Sequence, residues 1–581
     1  MEKEKISELL KQVRKNEKNN VQNEGVKIAV LGSCSIQYFV KILRYYLNQN
    51  GVQCNIYEGE YSGINMDVFD PNSSLYEFNP EYVIMLPFYS DVKECPPLLS
   101  EGNKIIEYLD DVKKYYEQLW SQINGRLEAK ILQANFVLPP VRVLGNLEYQ
   151  KEYGRNEFLY SVNRELLKVA PSTVTIVDVD ALSNNVGKYN WFDYKAYFLN
   201  KAAVRLDYMP EYVMCFVHEI LALRGNIRKC LVLDLDNTLW GGVVGDEGWE
   251  GIQIDSNNAV GEAYRYFQQY CLELKQRGII LAVCSKNDEA TAKEPFEKNE
   301  NMILKLDDIS CFIANWENKA DNIRRIAQEL NIGTDSLVFF DDNPAERQIV
   351  REFVPEVHVI DVPQDPALYV LQMEKEQPFE WTQITKEDLE RTNSYIENQK
   401  RQKMQESFVD YNEYLKALEM KGHIGKIENV DIPRFSQLIN KSNQFNLRTI
   451  RYQEANIIEM VANPDYRCLY CKLSDKYSNY GIISCVILHK EGSSCFIDTW
   501  VMSCRVLKRG VEDLMFNAIT DNAKAWGCSS IRAEYLPTKK NKMVESFYEG
   551  FEFELTSAKN GTKEYILNDL NNVVDCYIEE E

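Results

Sequence analysis

Apolar positions along this chain follow two rhythms. Apolar strand-like runs at Lys27-Ile-Ala-Val-Leu31, Tyr82-Val-Ile-Met-Leu86, Ala129-Lys-Ile-Leu132 and Val174-Thr-Ile-Val-Asp178 alternate with stretches where apolar residues return at helical spacing, as over 36–47. Such runs predict buried strands and the 3.6-residue spacing predicts helices, so their alternation predicts a parallel α/β sheet from residue 27 to about 224. The rhythm resumes from 228 to about 366, with runs at Cys230-Leu-Val-Leu233, Leu281-Ala-Val-Cys284, Cys311-Phe-Ile-Ala314 and Val338-Phe-Phe340. Residues 374–420 are rich in Glu, Lys, Gln and Arg and predict a linking helical segment with a solvated charged face. Beyond it, strands are expected at 467–473, 481–488 and 495–501, followed by a helix over 511–526. The expected organisation is α/β multidomain, with boundaries at 1–225, 226–373, 374–420 and 421–581.

At 581 residues the chain is too long for a single core. Its 88 acidic against 66 basic residues, a net charge of −22, argue against nucleic acid or an anionic membrane as partner, because either needs a basic surface. No apolar run reaches spanning length and the N-terminus lacks the apolar core of a signal peptide, so a cytoplasmic location is expected. Fifteen scattered cysteines then read as reduced thiols. Cys468-Leu-Tyr-Cys471 has zinc-like spacing but no matching second pair, and is expected to be a packed strand.

The chemistry concentrates in the second block. Asp234-Leu-Asp236-Asn-Thr238-Leu-Trp-Gly-Gly follows the first strand, Ser285-Lys-Asn287 the second, Asn315-Trp-Glu-Asn-Lys319 the third and Asp341-Asp342-Asn-Pro the fourth. A carboxylate at a strand end, a second two residues on, a lysine and a later acid pair suit attack on a phosphoryl group, at the carboxyl ends where open sheets place their sites. Helix capping alone would account for single acids, but not for the lysine or the pair.

This motif series resembles the haloacid dehalogenase (HAD) superfamily, and Asp-Asn-Thr-Leu-Trp-Gly-Gly-Val with Cys-Ser-Lys-Asn resembles its FkbH-like branch (subfamily IIIC). The resemblance implies a Rossmann-like parallel sheet with Asp234 as nucleophile and Asp236 as acid and base. It further implies that Thr238, Ser285, Asn287 and Lys319 hold the phosphoryl oxygens, and that Asp234, Asp236 (through its carbonyl), Asp341 and Asp342 bind Mg2+. In that branch an acyl phosphate of the 1,3-bisphosphoglycerate type is captured on an enzyme cysteine, the remaining phosphate is removed, and the glyceryl group passes to a phosphopantetheinylated acyl carrier protein. Cys284, next to Ser285, is the expected carrier, activated as thiolate by the magnesium and Lys319. Alternatives are a phosphatase of a small phosphometabolite or phosphosugar without acyl transfer, and a non-catalytic scaffold for carrier proteins.

The flanking blocks resemble two further folds. Gly32-Ser33-Cys34-Ser35, between a strand and a helix, is similar to the nucleophile loop of SGNH (GDSL-like) hydrolases. Cys34 would be a second nucleophile there, but without the family's late histidine a degenerate, structural domain is expected. The last block resembles the GNAT acyltransferase fold, an α+β domain, through Asp498-Thr-Trp-Val-Met-Ser-Cys-Arg505-Val-Leu-Lys508-Arg509-Gly510-Val-Glu512 and the segment ending at Tyr548. Lys508 stands where the pyrophosphate loop keeps its first glycine, which disfavours acetyl-CoA. Arg505, Lys508, Arg509 and Gly510, with nearby Lys539, Lys540 and Lys542, are candidates for docking an acidic carrier protein, Tyr548 is a candidate proton donor, and Ser442-Asn-Gln-Phe-Asn-Leu-Arg448 could bind substrate or order a turn.

Overall fold

The computed structural model describes residues 6–19, 25–382, 384, 389, 401, 404–405, 408, 410–538, 540–559 and 561–581. The chain forms two compact units, 1–220 and 221–581. Much of the middle of the segment predicted as a linking helix, 374–420, lies outside the described residues, as does Lys539. Among the described residues, no helix is long and apolar enough to cross a membrane.

The first unit holds a five-stranded parallel sheet of β1 (Val26–Gly32), β2 (Cys54–Glu58), β3 (Tyr82–Leu86), β4 (Lys130–Ala134) and β5 (Val174–Val177), in the order β2-β1-β3-β4-β5. Helices such as Gln37–Gln49 and Gly102–Asn124 make the crossovers. The central β3 is buried along its whole length, which is why its sequence is an unbroken apolar run. The edge strand β2 is half-exposed and carries Asn55 and Glu58, so it has no such run and no prediction covered it. Order reverses between β1 and β3, so the loop after β1, with Cys34, sits at the switch point of the sheet.

The second unit contains two sheets. β6 (Cys230–Leu233), β7 (Ile280–Ser285), β8 (Cys311–Ala314), β9 (Leu337–Phe340) and β10 (His358–Val359) pair in parallel in the order β10-β9-β6-β7-β8. Alternate residues feed opposite faces: Leu231, Leu233, Leu281 and Val283 pack with Phe267 and Tyr369, while Cys230, Val232, Ala282 and Cys284 pack with Ile323, Ile326 and Val350.

The last sheet comprises β11 (Lys421–Lys426), β12 (Tyr466–Ser474), β13 (Asn479–Glu491), β14 (Ser494–Met502), β15 (Ser530–Tyr535), β16 (Glu554–Lys559), β17 (Thr562–Leu567) and β18 (Glu579–Glu580). Their order is β16-β17-β15-β14-β13-β12-β11-β18. Cys468 and Cys471 are buried in β12. β14 and β15 run parallel, joined by the helix Val511–Ala525, and pair only from Ser494↔Ser530 to Phe496↔Arg532 before diverging. Residues 445–448 fill the gap: Met502 N donates to Phe445 O, Leu536 N to Leu447 O, and Asn446 bridges Val501. Arg448 fixes the segment by donating to Asp498 and Glu534, and Asn541 Nδ2 donates to Asn446 O.

Arg401 is held on this sheet by an ion pair. Its guanidinium makes a two-pronged pair with Asp475, 2.7 Å at each contact, and both side chains are almost fully enclosed. Removing one partner leaves a buried charge uncompensated, so Arg401→Ala should cost about 3–5 kcal/mol in a urea unfolding experiment. Arg401→Ala with Asp475→Asn should recover part of that loss.

Candidate functional site

The motif residues converge at the carboxyl ends of β6, β7, β8 and β9. Asp234 leaves β6 with its amide bonded to Phe340 O, 3.0 Å away, which ties the nucleophile position to the end of β9. Lys319, the first residue of the helix Lys319–Glu329, reaches back so that its Nζ lies 2.9 Å from Asp234 Oδ1 and 2.6 Å from Asp341 Oδ2. Ligand oxygens of Asp234, Asp341 and Asp342 all lie within 4.8 Å of one another. Ser285 is enclosed at the end of β7. Thr238 does not stand apart as a phosphate ligand: its hydroxyl meets Asp342, accepting from the Asp342 amide at 3.3 Å and lying 3.5 Å from Oδ1.

Three acids share one ammonium in a buried place, and the charges show it. Burial, then the charge of Asp234, push the Asp341 carboxyl up to about 7 against the pull of Lys319. The same two causes raise Asp342 to about 6. Burial penalises the Lys319 ammonium, but Asp234 and Asp341 outweigh it and hold its pKa above the ordinary lysine value. Asp234 Oδ1, though close to Lys319, accepts no aligned hydrogen bond. Surplus negative charge on hard oxygen donors, one of them with unused capacity, is a fit for a small divalent cation.

The carboxylate of Asp236 stands outside this set of side-chain oxygens. Its Oδ1 accepts from Trp240 Nε1 and Val244 N, each at 2.9 Å, and its Oδ2 from Asn287 Nδ2 at 2.7 Å. Asn287, expected on the phosphate, therefore spends its amide on orienting Asp236. Burial raises the Asp236 pKa despite these donors, which suits a group that must give up a proton and take one back. Sequence reasoning missed three supports. Arg347 Nη1 donates to the carbonyls of Asp341 and Asp342, Tyr369 OH donates to Asn237 O, and Lys286 pairs with Glu346 at 2.6 Å. Lys286 lay inside a motif, as did Trp240; Arg347, Glu346 and Tyr369 are brought in by helix packing that no local pattern reveals.

Both cysteine expectations meet burial. Cys284 shares β7 with Ser285 but points to the opposite face, into the core beside Ala320 and Ile323, with Sγ 3.9 Å from Lys319 O. Burial raises its pKa far above an ordinary thiol and outweighs the Lys319 charge, so the expected thiolate beside the phosphate site is not what this arrangement holds. Strand alternation is the reason, since neighbours in a strand cannot face the same pocket. Burial, then Asp91, push Cys34 to about 12. Asp91 is engaged by Ser33 Oγ at 2.5 Å and Phe88 N at 2.9 Å.

In the C-terminal sheet, Lys508 takes φ +62° and Gly510 φ +85°, so the loop makes its turn even with a lysine at the glycine position. The Lys508 amide donates to Glu512 Oε1 at 2.8 Å, which places a protein carboxylate on an amide that a pyrophosphate would need. Arg509 is folded onto Tyr480 OH at 2.6 Å, and Arg505 Nε lies 3.2 Å from Ser503 Oγ. Lys508, Lys540 and Lys542 are exposed. Tyr548 is a core residue, enclosed by Trp500, Phe553 and Tyr565, so the expected proton donor has no path to a substrate in this arrangement.

Two outcomes follow from these charges. Asp341 and Asp342 bind protons more tightly folded than unfolded, so in metal-free protein their stabilising contribution is full below 3.8 and is lost as pH rises through about 6 and 7. Mg2+ should reverse that loss, and its thermal shift should be larger at about pH 8 than at about pH 5 by about 2–4 °C. Acetyl-CoA should show no saturable heat of binding up to about 1 mM, because Glu512 holds the loop amide.

A family model described as FkbH, N-terminal domain, matches residues 27–222. The N-terminal part of a Bacteroides fragilis protein, containing a phosphatase domain complexed with magnesium, is similar at 36% identity with a TM-score of 0.59, over 64% of this chain and 99% of that one. Across the C-terminal part, an IAA acetyltransferase from Bacillus cereus (13% identity, TM-score 0.20, 25% of this chain and 99% of that one) is similar in fold. So is the GNAT domain of a Streptomyces lividans protein, at 14% identity, TM-score 0.21, 25% of this chain and 89% of that one. No curated protein matches. The N-terminal match and the identity across nearly all of the Bacteroides fragilis chain establish that this chain belongs to the FkbH family, an FkbH N-terminal domain followed by a HAD-type phosphatase domain.

Proposed function

We propose that the protein is a magnesium-dependent phosphatase acting on a phosphorylated acyl donor of the 1,3-bisphosphoglycerate type, whose glyceryl group it passes to a phosphopantetheinylated acyl carrier protein. The observation that carries the phosphoryl half is the buried set of Asp234, Asp341 and Asp342 around Lys319. Asp234, Asp341 and Asp342 would hold the cation, which would offset charge where an anionic carboxylate meets an anionic phosphate. The carboxylate of Asp234 attacks phosphorus, and the P–O bond to the leaving group breaks. Asp236, carboxyl-protonated and held by Trp240, Val244 and Asn287, gives its proton to the departing oxygen. Asp236 then takes a proton from water as that water attacks the aspartyl phosphate, releasing phosphate and restoring Asp234. Lys319 holds Asp234 in place and balances its charge throughout.

The transfer half rests on family membership, and requires a thiolate to attack the acyl carbon and expel phosphate as the thioester forms. A second reading, a phosphatase of a small phosphometabolite or phosphosugar with no acyl transfer, is favoured by the burial of Cys284 in the core. A cytoplasmic setting suits either reading.

Asp234→Asn should lower phosphate release by about 10³-fold or more, and Lys319→Ala by about 10²-fold, with Mg2+ present in a continuous phosphate assay. Intact-protein mass spectrometry after 1,3-bisphosphoglycerate and Mg2+ separates the two readings. A glyceryl adduct on the wild type, absent from Cys284→Ala and moving to an added carrier, supports transfer through that thiol. Phosphate release by both proteins with no adduct supports the plain phosphatase.

A further inference from the structure

Two exposed apolar residues at the phosphoryl site have chain neighbours that are bonded into it. Val243, 37% exposed, precedes Val244, whose amide donates to Asp236 Oδ1 at 2.9 Å. Trp316, 76% exposed, follows Asn315, whose amide donates to the carbonyl of Ser285 at 3.2 Å. The order β6-β7-β8 puts the loops that carry them on either side of the end of β7, two strand spacings or roughly 10 Å apart at the strand ends.

Isolated apolar residues on a surface are ordinary, but Trp316 is displayed by a braced loop. Asn315 and the buried Asn322 exchange side-chain hydrogen bonds of 2.7 and 3.2 Å. Glu317 N donates back to Asn315 Oδ1 at 3.0 Å, and Asn318 Oδ1 caps the next helix by accepting from Ala320 N at 2.8 Å. The loop is thus fixed at both ends, between β8 and Lys319, and its indole makes no hydrogen bond or ring contact among the described residues. The same bracing sets Lys319 against Asp234, so the indole keeps a constant distance from the phosphoryl site. A tryptophan held in this way offers a large contact face at the cost of ordering only two torsions.

Depth separates the two. Asp234 and Lys319 are enclosed while the indole stands in solvent, so a substrate meets Trp316 only with a part that extends out of the pocket. A body of three carbons extends about 4 Å beyond the ester oxygen and stays near the enclosed acids, whereas a longer chain runs out past the rim. We propose that Trp316, with Val243 opposite, is the specificity-determining residue of the phosphoryl site and grips the weakly polar chain of a long phosphorylated substrate. This inference rests on the phosphatase reading above, and under it the chain is a pantetheine arm that bears the phosphoglyceryl group as a thioester. Phosphate is then removed after the acyl group has joined the arm: the C3 ester P–O bond breaks, water supplies the oxygen to phosphate and the proton to the C3 oxygen by way of Asp234 and Asp236, and the thioester is untouched. The burial of Cys284 in the core agrees with this order, because no thiol of β7 then has to hold the acyl group at the site.

The test is steady-state phosphate release by the full chain with Mg2+, from the S-methyl and the S-pantetheine thioesters of 3-phosphoglycerate. The same bond is cleaved in both probes and only the length of the tether differs. The expected result is a kcat/KM about tenfold higher for the pantetheine thioester, carried by KM. Trp316→Ala should lose most of that preference through a higher KM for the long probe, at a kcat held within about twofold, and Trp316→Phe should keep much of it. Thermal melts of each variant check folding. Equal kcat/KM for the two probes in the wild type would overturn the proposal, as would a preference that survives Trp316→Ala or a loss that falls equally on both probes. A wild type that hydrolyses neither probe would overturn the phosphatase reading together with the proposal, whereas the other failures leave that reading standing.

Discussion

One ammonium holds the phosphoryl site together. Lys319 stands between Asp234 and Asp341, each of which would repel the other across a buried gap. That arrangement depends on several independent pieces of chain meeting at one level: the amide of Asp234 on the carbonyl of Phe340, the first turn of the helix Lys319–Glu329, and the Asp341 and Asp342 carbonyls fixed by Arg347. A single lysine cannot neutralise three carboxylates, and the shortfall appears as acids driven toward neutrality. The sheet is thus built to a tension that a divalent cation would relax, and the fold supplies the rigidity that keeps the acids from drifting apart instead.

Much of this was legible in the residues. The parallel sheets were visible because strands buried on both faces must be unbroken apolar runs, and the site was visible because each motif directly follows such a run. Legibility ended where alternation or remote packing decides the outcome. Cys284 and Ser285 are adjacent in sequence, and proximity suggested one pocket, but the pleat sends them to opposite faces. Asn287 looked like a phosphate ligand, and its amide is spent on Asp236. Arg347, Glu346 and Tyr369 reach the site from helices whose own sequences carry no chemical signature. β2 escaped notice because an edge strand with polar residues has no run to see.

In the C-terminal sheet the loop before the helix Val511–Ala525 is closed by the chain's own groups. Lys508 accepts a left-handed backbone where glycine would be free of strain, and Glu512 satisfies the amide that the turn presents. Docking residues inferred from their density in the sequence separate in space: Arg505 and Lys540 line a cavity shared with the phosphatase sheet, while Arg509 is held by Tyr480. Sequence density of charge reports a loop's composition, and only the fold decides which charges share a space.

The segment 445–448, lying between the diverging ends of β14 and β15, turns a split sheet into a continuous one. Any guest molecule entering that split would compete with the chain's own peptide groups, and would need polar atoms at strand-like intervals to replace what it displaced. Tightness of the domain and accessibility of its cleft are therefore a single quantity with opposite signs, so that whatever loosens Arg448 from Asp498 and Glu534 also sets how widely the sheet can open.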